Sequence, residues 1–142
     1  GAAGLRAGAA AAGLPTPQLL AITQLTSIDE RVLHGEQHVN LSLVESVQSY
    51  ARLAERARAA GVVCSAQEVQ AIRQVTGPDF LCVTPGIRPA GFAKGDQKRV
   101  VTPRQAHELG SNAIVVGRPI TQQADPVAAY QTIEQEFLAE ED

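Results

Sequence analysis

Hydrophobic residues in this 142-residue chain follow two alternating patterns. Short, continuous apolar runs are separated by longer stretches in which apolar residues recur every three or four positions. Continuous runs are typical of parallel strands whose two faces are both covered, whereas the three- to four-residue recurrence is typical of helices with one buried face. The chain therefore predicts four strand–helix units, with parallel strands joined by crossover helices.

The predicted boundaries rest on the apolar runs and on the helix-capping patterns between them. The strands are expected at 19–22, 62–64, 80–83 and 113–116, and the helices at 43–57, 65–76, 102–110 and from 125 to the acidic tail at 140–142. Ser65 and Glu68 form a capping-box pattern, which marks a helix start. Thr102 before Pro103 marks another. Gly61 is the expected C-terminal end of the first predicted helix.

Four such units fit two α/β architectures. One is a small doubly wound domain, and the other is half of a (βα)8 barrel, which typically needs about 250 residues. The chain is 44% hydrophobic, which is enough for one core, so we expect residues 1–142 to form a single domain. Periodicity alone leaves both architectures open.

The composition of the chain argues against two classes of binding partner, nucleic acids and membranes. The net charge is -3 and aromatic residues make up 4% of the chain, which argues against a nucleic-acid partner. No apolar run approaches the roughly 20 residues of a membrane helix, and the Ala/Gly-rich start lacks the pattern of a signal peptide. Cys64 and Cys82 lie within apolar runs and are expected to be buried, reduced thiols. We therefore expect a cytoplasmic protein without a membrane partner.

Polar residues that follow the predicted strands are the candidates for chemistry, because function in parallel α/β folds gathers at the carboxyl ends of strands. Gly117-Arg118 directly follows the fourth strand, and Arg88 lies in the loop after the third. Glycine admits a ligand close to the backbone, and arginine offers a planar fork of donors that suits phosphate. This pattern fits a phosphate site, and it equally fits a surface arginine paired with a carboxylate.

Other common chemistries have no pattern in the sequence. No closely spaced His/Cys/Asp/Glu set suggests a metal site, and His34 and His38 are expected to be exposed polar residues. No nucleotide-binding glycine loop or serine-nucleophile motif is present. The residues therefore predict no metal site.

Five segments together resemble the bacterial orotidine 5'-phosphate decarboxylases. They are Leu20-Ala21-Ile22-Thr23-Gln24-Leu25-Thr26-Ser27, Gly61-Val62-Val63-Cys64-Ser65, Val83-Thr84-Pro85-Gly86-Ile87-Arg88-Pro89, Gly95-Asp96-Gln97-Lys98-Arg99 and Val116-Gly117-Arg118-Pro119-Ile120-Thr121. Their order and spacing also agree, and the resemblance covers nearly the whole chain. It implies a (βα)8 barrel whose strands five to eight are the four strands predicted here.

The resemblance implies a nucleotide substrate and residues that bind each end of it. The family removes CO2 from orotidine 5'-monophosphate (OMP) to give UMP, without cofactor or metal. Thr26 is implied to contact the pyrimidine, with Ser27 next to it, and Pro85 to line the base pocket.

The remaining implied residues belong to the phosphate end. Arg88 and Gln97 are implied to lie on a loop that closes over the phosphate, and Arg118 with the Gly117 backbone to hold the phosphate. The loop from Pro89 to Val100 is accordingly expected to close over a bound phosphate. The family is also dimeric, so the resemblance implies a homodimer.

One departure from the family is large. Its catalytic Lys and Asp residues lie on earlier strands in a D-x-K-x-x-D pattern, which this sequence lacks. A whole barrel would place about a hundred residues before Gly1. We therefore expect no catalytic residue in this chain, and activity only when the preceding half is supplied. Two other hypotheses stay open: another phosphate-binding barrel lyase or synthase, and a non-catalytic phosphate-binding module.

Overall fold

A computed structural model gives the fold and describes residues 2–90 and 100–138. The strands are β1 (Leu20–Ile22), β2 (Gly61–Val63), β3 (Leu81–Thr84) and β4 (Ala113–Ile114). The helices are α1 (Ala2–Ala11), α2 (Glu30–Gly35), α3 (Leu43–Arg56), α4 (Val69–Arg73), α5 (Pro103–Glu108), α6 (Arg118–Thr121) and α7 (Pro126–Leu138). A single 3-10 turn, Ala66–Glu68, leads into α4.

The four strands form one parallel sheet in the order β1-β2-β3-β4. Ile22 lies opposite Val63, Val63 opposite Val83, and Val83 opposite Ala113, so these residues form one row across the sheet. A doubly wound sheet reverses its strand order, and this sheet does not. The sequential order is that of half a (βα)8 barrel, which confirms the second of the two predicted architectures.

One face of the sheet is covered by helices. Val62 and Cys82 point to this face and are fully buried against α3 and α4. The cluster comprises Val47, Ala51, Ala54, Val62, Cys64, Val69, Ile72, Phe80 and Cys82. A second, smaller cluster of Ala66, Ile87, Val101 and Ala106 lies by α5 and α7. We call this side of the sheet the covered face.

The opposite side of the sheet is not covered by the described residues. Ile22 is 62% exposed and Val115, just beyond β4, is 51% exposed, while Ala113 in the same row as Ile22 is also exposed. We call this side the open face. The expectation that both faces of the strands are covered is therefore wrong within the described residues. The apolar runs are continuous in the sequence even though one face is open, because the residues on the open face are also apolar.

The expected role of Gly61 is also wrong. Helix α3 ends at Arg56, and Arg58 adopts the left-handed conformation (φ 61°) that follows it. The backbone N–H of Arg58 donates to Glu55 O at 2.8 Å and that of Ala59 to Ala54 O at 3.0 Å, which is the bonding of a Schellman motif. Gly61 instead opens β2, where an added Cβ would lie 2.2 Å from the carbonyl oxygen of Leu81.

The helix caps predicted at Thr102 and Ser65 are present in the structure. Thr102 Oγ1 accepts the N–H of Gln105 at 3.2 Å, and Gln105 Oε1 accepts the N–H of Thr102 at 2.9 Å. Glu68 accepts the N–H of Ser65 at 3.0 Å, although the turn that follows is 3-10 and α4 ends three residues earlier than predicted. Helices α1, α2 and α6 were not predicted. The acidic tail lies outside the described residues.

Candidate functional site

The loop after β1 is held to the body of the protein by buried polar bonds. The Thr23 N–H and Oγ1 both donate to Val63 O, at 3.1 and 3.2 Å. Gln24 is 6% exposed, and its Nε2 donates to Ser46 Oγ on α3 at 3.1 Å. These bonds fix the backbone that leads to Thr26, which is buried, and Ser27, which is exposed.

The segment after β2 holds a thiol and a buried carboxylate. The contact with Cys82 and burial both raise the pKa of the Cys64 thiol, so it stays protonated at neutral pH. A protonated, buried thiol is a poor nucleophile, and both cysteines are free and buried as predicted. Glu68 is 4% exposed, and its bond to the Ser65 N–H orders this turn. This bond holds the backbone of the turn in place after β2.

The loop after β3 is shaped by a glycine and by a short parallel bridge. Gly86 has a left-handed backbone (φ 81°), which a residue with a side chain would adopt only at a cost in energy. Ile87 then pairs with Val101, and the Arg88 N–H donates to Val101 O at 3.0 Å. The Arg88 side chain is 9% exposed, and its Nη1 donates to Ile87 O at 2.8 Å. Arg88 is thus anchored at the base of the loop, with Pro85 half-buried before it.

The segment after β4 turns directly into helix α6. Gly117 precedes this helix with φ -105° and ψ -100°, and its carbonyl accepts the N–H groups of Ile120 and Thr121 at 2.8 and 3.1 Å. Pro119 in the first turn is buried, which fixes the turn against the body of the protein. Arg118 is exposed at the start of the helix, beside the exposed Gly117 backbone. A glycine and an accessible guanidinium therefore stand together where β4 ends.

The strand order decides which predicted residues are neighbours. Arg88 and Arg118 follow β3 and β4, which are adjacent in the sheet, so the two basic residues belong to adjacent loops. Thr26 follows β1, three strand spacings from β4, or about 14 Å along the sheet. The carboxyl edge therefore carries a hydroxyl-bearing end and a basic end. Gln97 lies outside the described residues, as does most of the loop from Pro89 to Val100.

Sequence reasoning missed several polar residues at this edge. Gln24 and Thr23 were seen only as part of a motif, and their bonds to Ser46 and Val63 depend on contacts between elements distant in sequence. Thr84 is fully buried and donates to Ser111 Oγ at 3.0 Å, which also has no local signal. The pair Arg118-Pro119 after a glycine could have predicted α6, because proline is favoured in the first helical turn.

The metal and histidine predictions concern a different part of the molecule. Among residues 2–90 and 100–138, no group of three or more His, Cys, Asp or Glu side chains could hold a metal ion. His34 contacts Glu30 at 2.9 Å on α2, and His38 lies beyond that helix with φ 57°. Both histidines are exposed, as predicted. Within the same ranges, no helix is long and apolar enough to cross a membrane.

Comparison with known proteins adds a family match. The family model described as orotidine 5'-phosphate decarboxylase / HUMPS matches residues 1–133. The orotidine 5'-phosphate decarboxylase of Latilactobacillus sakei subsp. sakei (strain 23K) is 57% identical over 137 residues, which are 96% of this chain and 57% of that protein. The protein of the same description from Streptococcus pneumoniae (strain ATCC 700669 / Spain 23F-1) is 60% identical over 120 residues, 84% of this chain and 52% of that protein.

A solved structure agrees with these matches. The crystal structure of orotidine 5'-phosphate decarboxylase from Lactobacillus acidophilus matches with a TM-score of 0.75 and 50% identity. The match covers 90% of this chain and 52% of that one. The chain thus spans about half the length of the curated relatives and of the solved structure that it matches.

Proposed function

Because this chain belongs to the orotidine 5'-phosphate decarboxylase / HUMPS family, we propose that it is the substrate-binding C-terminal half of an orotidine 5'-phosphate decarboxylase. In this proposal it serves the conversion of OMP to UMP in pyrimidine biosynthesis. The curated relatives at 57% and 60% identity carry that name, which favours this activity over another phosphate-binding barrel lyase or synthase.

One observation carries the proposal from the structure. The basic loops of Arg88 and Arg118 are neighbours at the end of β3 and β4, and Thr26 lies at the far end of the same edge. A nucleotide monophosphate has a charged end and a base end, and so needs two such separated regions. In the proposed roles, Arg118 and the Gly117 backbone hold the phosphate, with Arg88 and Gln97 on the loop over it. Thr26, Ser27 and Pro85 contact the pyrimidine.

The chemical step requires groups that this chain does not contribute. When the bond between C6 and the carboxylate breaks, CO2 leaves and the electron pair stays on C6. That carbanion then needs a proton, and none of the proposed binding residues is a proton donor suited to that position. By resemblance, the donor is the lysine of the D-x-K-x-x-D pattern on an earlier strand. The proposed contribution of this chain is to bind and align the nucleotide, so that binding energy at the phosphate assists reaction at C6.

A complementation experiment tests this proposal. The chain is joined to the N-terminal half of the Latilactobacillus sakei relative, in place of that enzyme's own C-terminal half, and UMP formation from OMP is measured. We expect activity from the chimera and none from either half alone. A folded chimera with no UMP formation, or one that binds inorganic phosphate but not UMP, would contradict the proposal and favour the phosphate-binding module.

Two further features are part of the same proposal. The complete protein is proposed to be a homodimer and to work in the cytoplasm without cofactor, where buried free thiols such as Cys64 and Cys82 stay reduced. Sedimentation of the chimera should give twice its chain mass. A monomeric chimera of full activity would remove the dimer from the proposal.

A further inference from the structure

Thr26 and Ser27, which are proposed to contact the pyrimidine, form the centre of a tight turn. The N–H of Ile28 donates to the carbonyl oxygen of Leu25 at 2.9 Å, and this bond closes the turn. A turn closed in this way has a fixed shape, but its direction depends on the segments that hold its two ends. The placement of Thr26 therefore depends on the residues that come just before and just after the turn.

The segment before the turn is held from two directions. Thr23 makes two bonds to the carbonyl oxygen of Val63, which tie it to β2. Gln24 comes next, and its Nε2 donates to Ser46 Oγ on α3 at 3.1 Å. Both members of this pair are buried, since Gln24 is 6% and Ser46 3% exposed. A buried polar pair fixes a distance and a direction that apolar packing alone does not fix.

Helix α3 offers a fixed reference point for this bond. Its start is held by a capping box, in which Ser42 Oγ accepts the N–H of Glu45 at 3.2 Å and Glu45 Oε2 accepts the N–H of Ser42 at 2.9 Å. The N–H of Ser46 then donates to Ser42 O at 2.9 Å. Val47, the next residue, is fully buried in the core cluster. Gln24 thus joins the turn to a part of the helix that is held at its start and in the core.

We infer that Gln24 is a positioning residue for the base end of the nucleotide and acts through its bond to Ser46. In this role Gln24 does not touch the substrate, because it holds the backbone two residues before Thr26. The inference rests on the proposed function, since it takes the pyrimidine contact at Thr26 as its premise. Loss of the bond would let the turn shift, and a small shift of a binding group lowers both affinity and rate.

Two ligands separate this role from general support of the fold. UMP has a base end and a phosphate end, whereas ribose 5-phosphate has the phosphate end without the base. The proposed phosphate residues follow β3 and β4, and Gln24 follows β1 at the other side of the sheet. Loss of the Gln24 bond should therefore weaken the binding of UMP alone. A residue that only stabilises the fold would affect both ligands alike, because it changes the fraction of folded protein.

The first test is Gln24→Ala in the chimera with the N-terminal half of the Latilactobacillus sakei relative. This variant should bind UMP about tenfold more weakly and ribose 5-phosphate within about twofold of the parent, because one buried hydrogen bond at the base end is lost. For OMP, kcat/KM should fall by at least about tenfold. Isothermal titration calorimetry gives the two dissociation constants, and steady-state kinetics gives kcat and KM.

A second variant removes the same bond from the helix. Ser46→Ala deletes one hydroxyl and places a good helix former inside α3, so it is expected to fold. The buried amide of Gln24 then lacks its partner, and UMP binding should weaken at least about threefold with ribose 5-phosphate binding unchanged. Gln24→Ala combined with Ser46→Ala should bind UMP within about twofold of Gln24→Ala alone, because both changes remove one bond.

Gln48→Ala is the matched control on the same helix. Gln48 Nε2 donates to Ala71 O at 2.9 Å, a bond that joins α3 to the helix after it and not to the loop after β1. We expect this variant to lose stability in urea as Gln24→Ala does, and to bind UMP as the parent does.

The outcomes distinguish the inference from its premise. If the parent chimera is active and Gln24→Ala binds UMP equally well, or weakens both ligands by the same factor, the inference is overturned and the proposed function stands. A parent chimera that forms no UMP would overturn the proposed function, and the inference would fall with it.

Discussion

The two faces of this sheet are built from the same kinds of residue and have opposite surroundings. Val62 and Cys82 on the covered face are fully buried, while Ile22 and Val115 on the open face are more than half exposed. These residues lie within apolar runs that look alike in the sequence. The difference shows that a continuous apolar run does not report whether both faces of its strand are covered by the described residues.

One carboxylate placed on each face in turn gives the strongest test of whether the two faces differ in burial. Val62→Asp buries a charge among α3 and α4 without a partner and should lower the free energy of unfolding by more than about 4 kcal/mol, so the chain should not fold. Ile22→Asp should leave the helical content intact, because its charge stays in water. Circular dichroism and urea titration of both variants check this. Similar loss of helix in the two variants would mean that the faces do not differ.

Glycine substitutions compare a tight place in the sheet with an open place outside it. Gly61→Ala forces a Cβ against the Leu81 carbonyl, 2.2 Å away, and should cost about 3 kcal/mol by separating β2 from β3. Gly35→Ala, with nothing within 4 Å, should change stability by less than about 1 kcal/mol and in the stabilising direction. Thermal unfolding measures both. A neutral Gly61→Ala would show that the two strands do not approach this closely.

The carboxyl edge, where the two faces meet, carries the proposed phosphate contact. In the active chimera, Arg118→Ala should lower kcat/KM for OMP about a hundredfold, or about 2.7 kcal/mol. Arg118→Lys should recover only part of the loss, because a point charge lacks the planar fork. Steady-state kinetics with a substrate that lacks the phosphate is the control. If Arg118→Ala slowed that substrate equally, Arg118 would act on structure or chemistry and not on phosphate.

The smallest expected effect concerns a helix that covers the sheet. Thr102→Ala removes the acceptor of the Gln105 N–H at the start of α5 and should cost about 1 kcal/mol. Thr132→Ala, on the exposed side of α7, should cost less than about 0.5 kcal/mol. Urea unfolding of the two variants gives the comparison, and an equal loss in both would remove the special role of the cap.

What the sequence predicted well is local. The presence of four strands, the cap at Thr102 and the buried thiols follow from residues that are near each other in the chain or from their own polarity. The sequential order of the strands was implied only by the family resemblance. The role of Gly61 was wrong because its requirement comes from Leu81, twenty residues away, and the end of α3 was fixed by Arg58 in a conformation that glycine more often adopts. The open face was missed because a continuous apolar run looks the same whether one face of its strand is covered or both.

The sequence likewise predicted part of the candidate site and missed the contacts within it. The sequence located Gly117-Arg118 and Arg88 at strand ends, because strand ends can be read from apolar runs. It could not predict that Arg88 is anchored to Ile87 O, or that Gln24 reaches Ser46, since both contacts depend on three-dimensional packing. The roles of the seven proposed binding residues therefore remain predictions from resemblance.

The buried thiols of Cys64 and Cys82 allow the opening rate of the core to be measured. Both lie in the cluster beneath α3 and α4, so a thiol reagent reaches them only when that cluster opens. If the cluster opens as one cooperative unit, the two sulfurs will be labelled at the same rate, and that rate will measure how often the unit opens. Labelling of one sulfur well before the other would reveal that β2 and β3 separate from the helices in steps. The opening kinetics of the native chain can thus be measured at its own two cysteines, with no engineered residue.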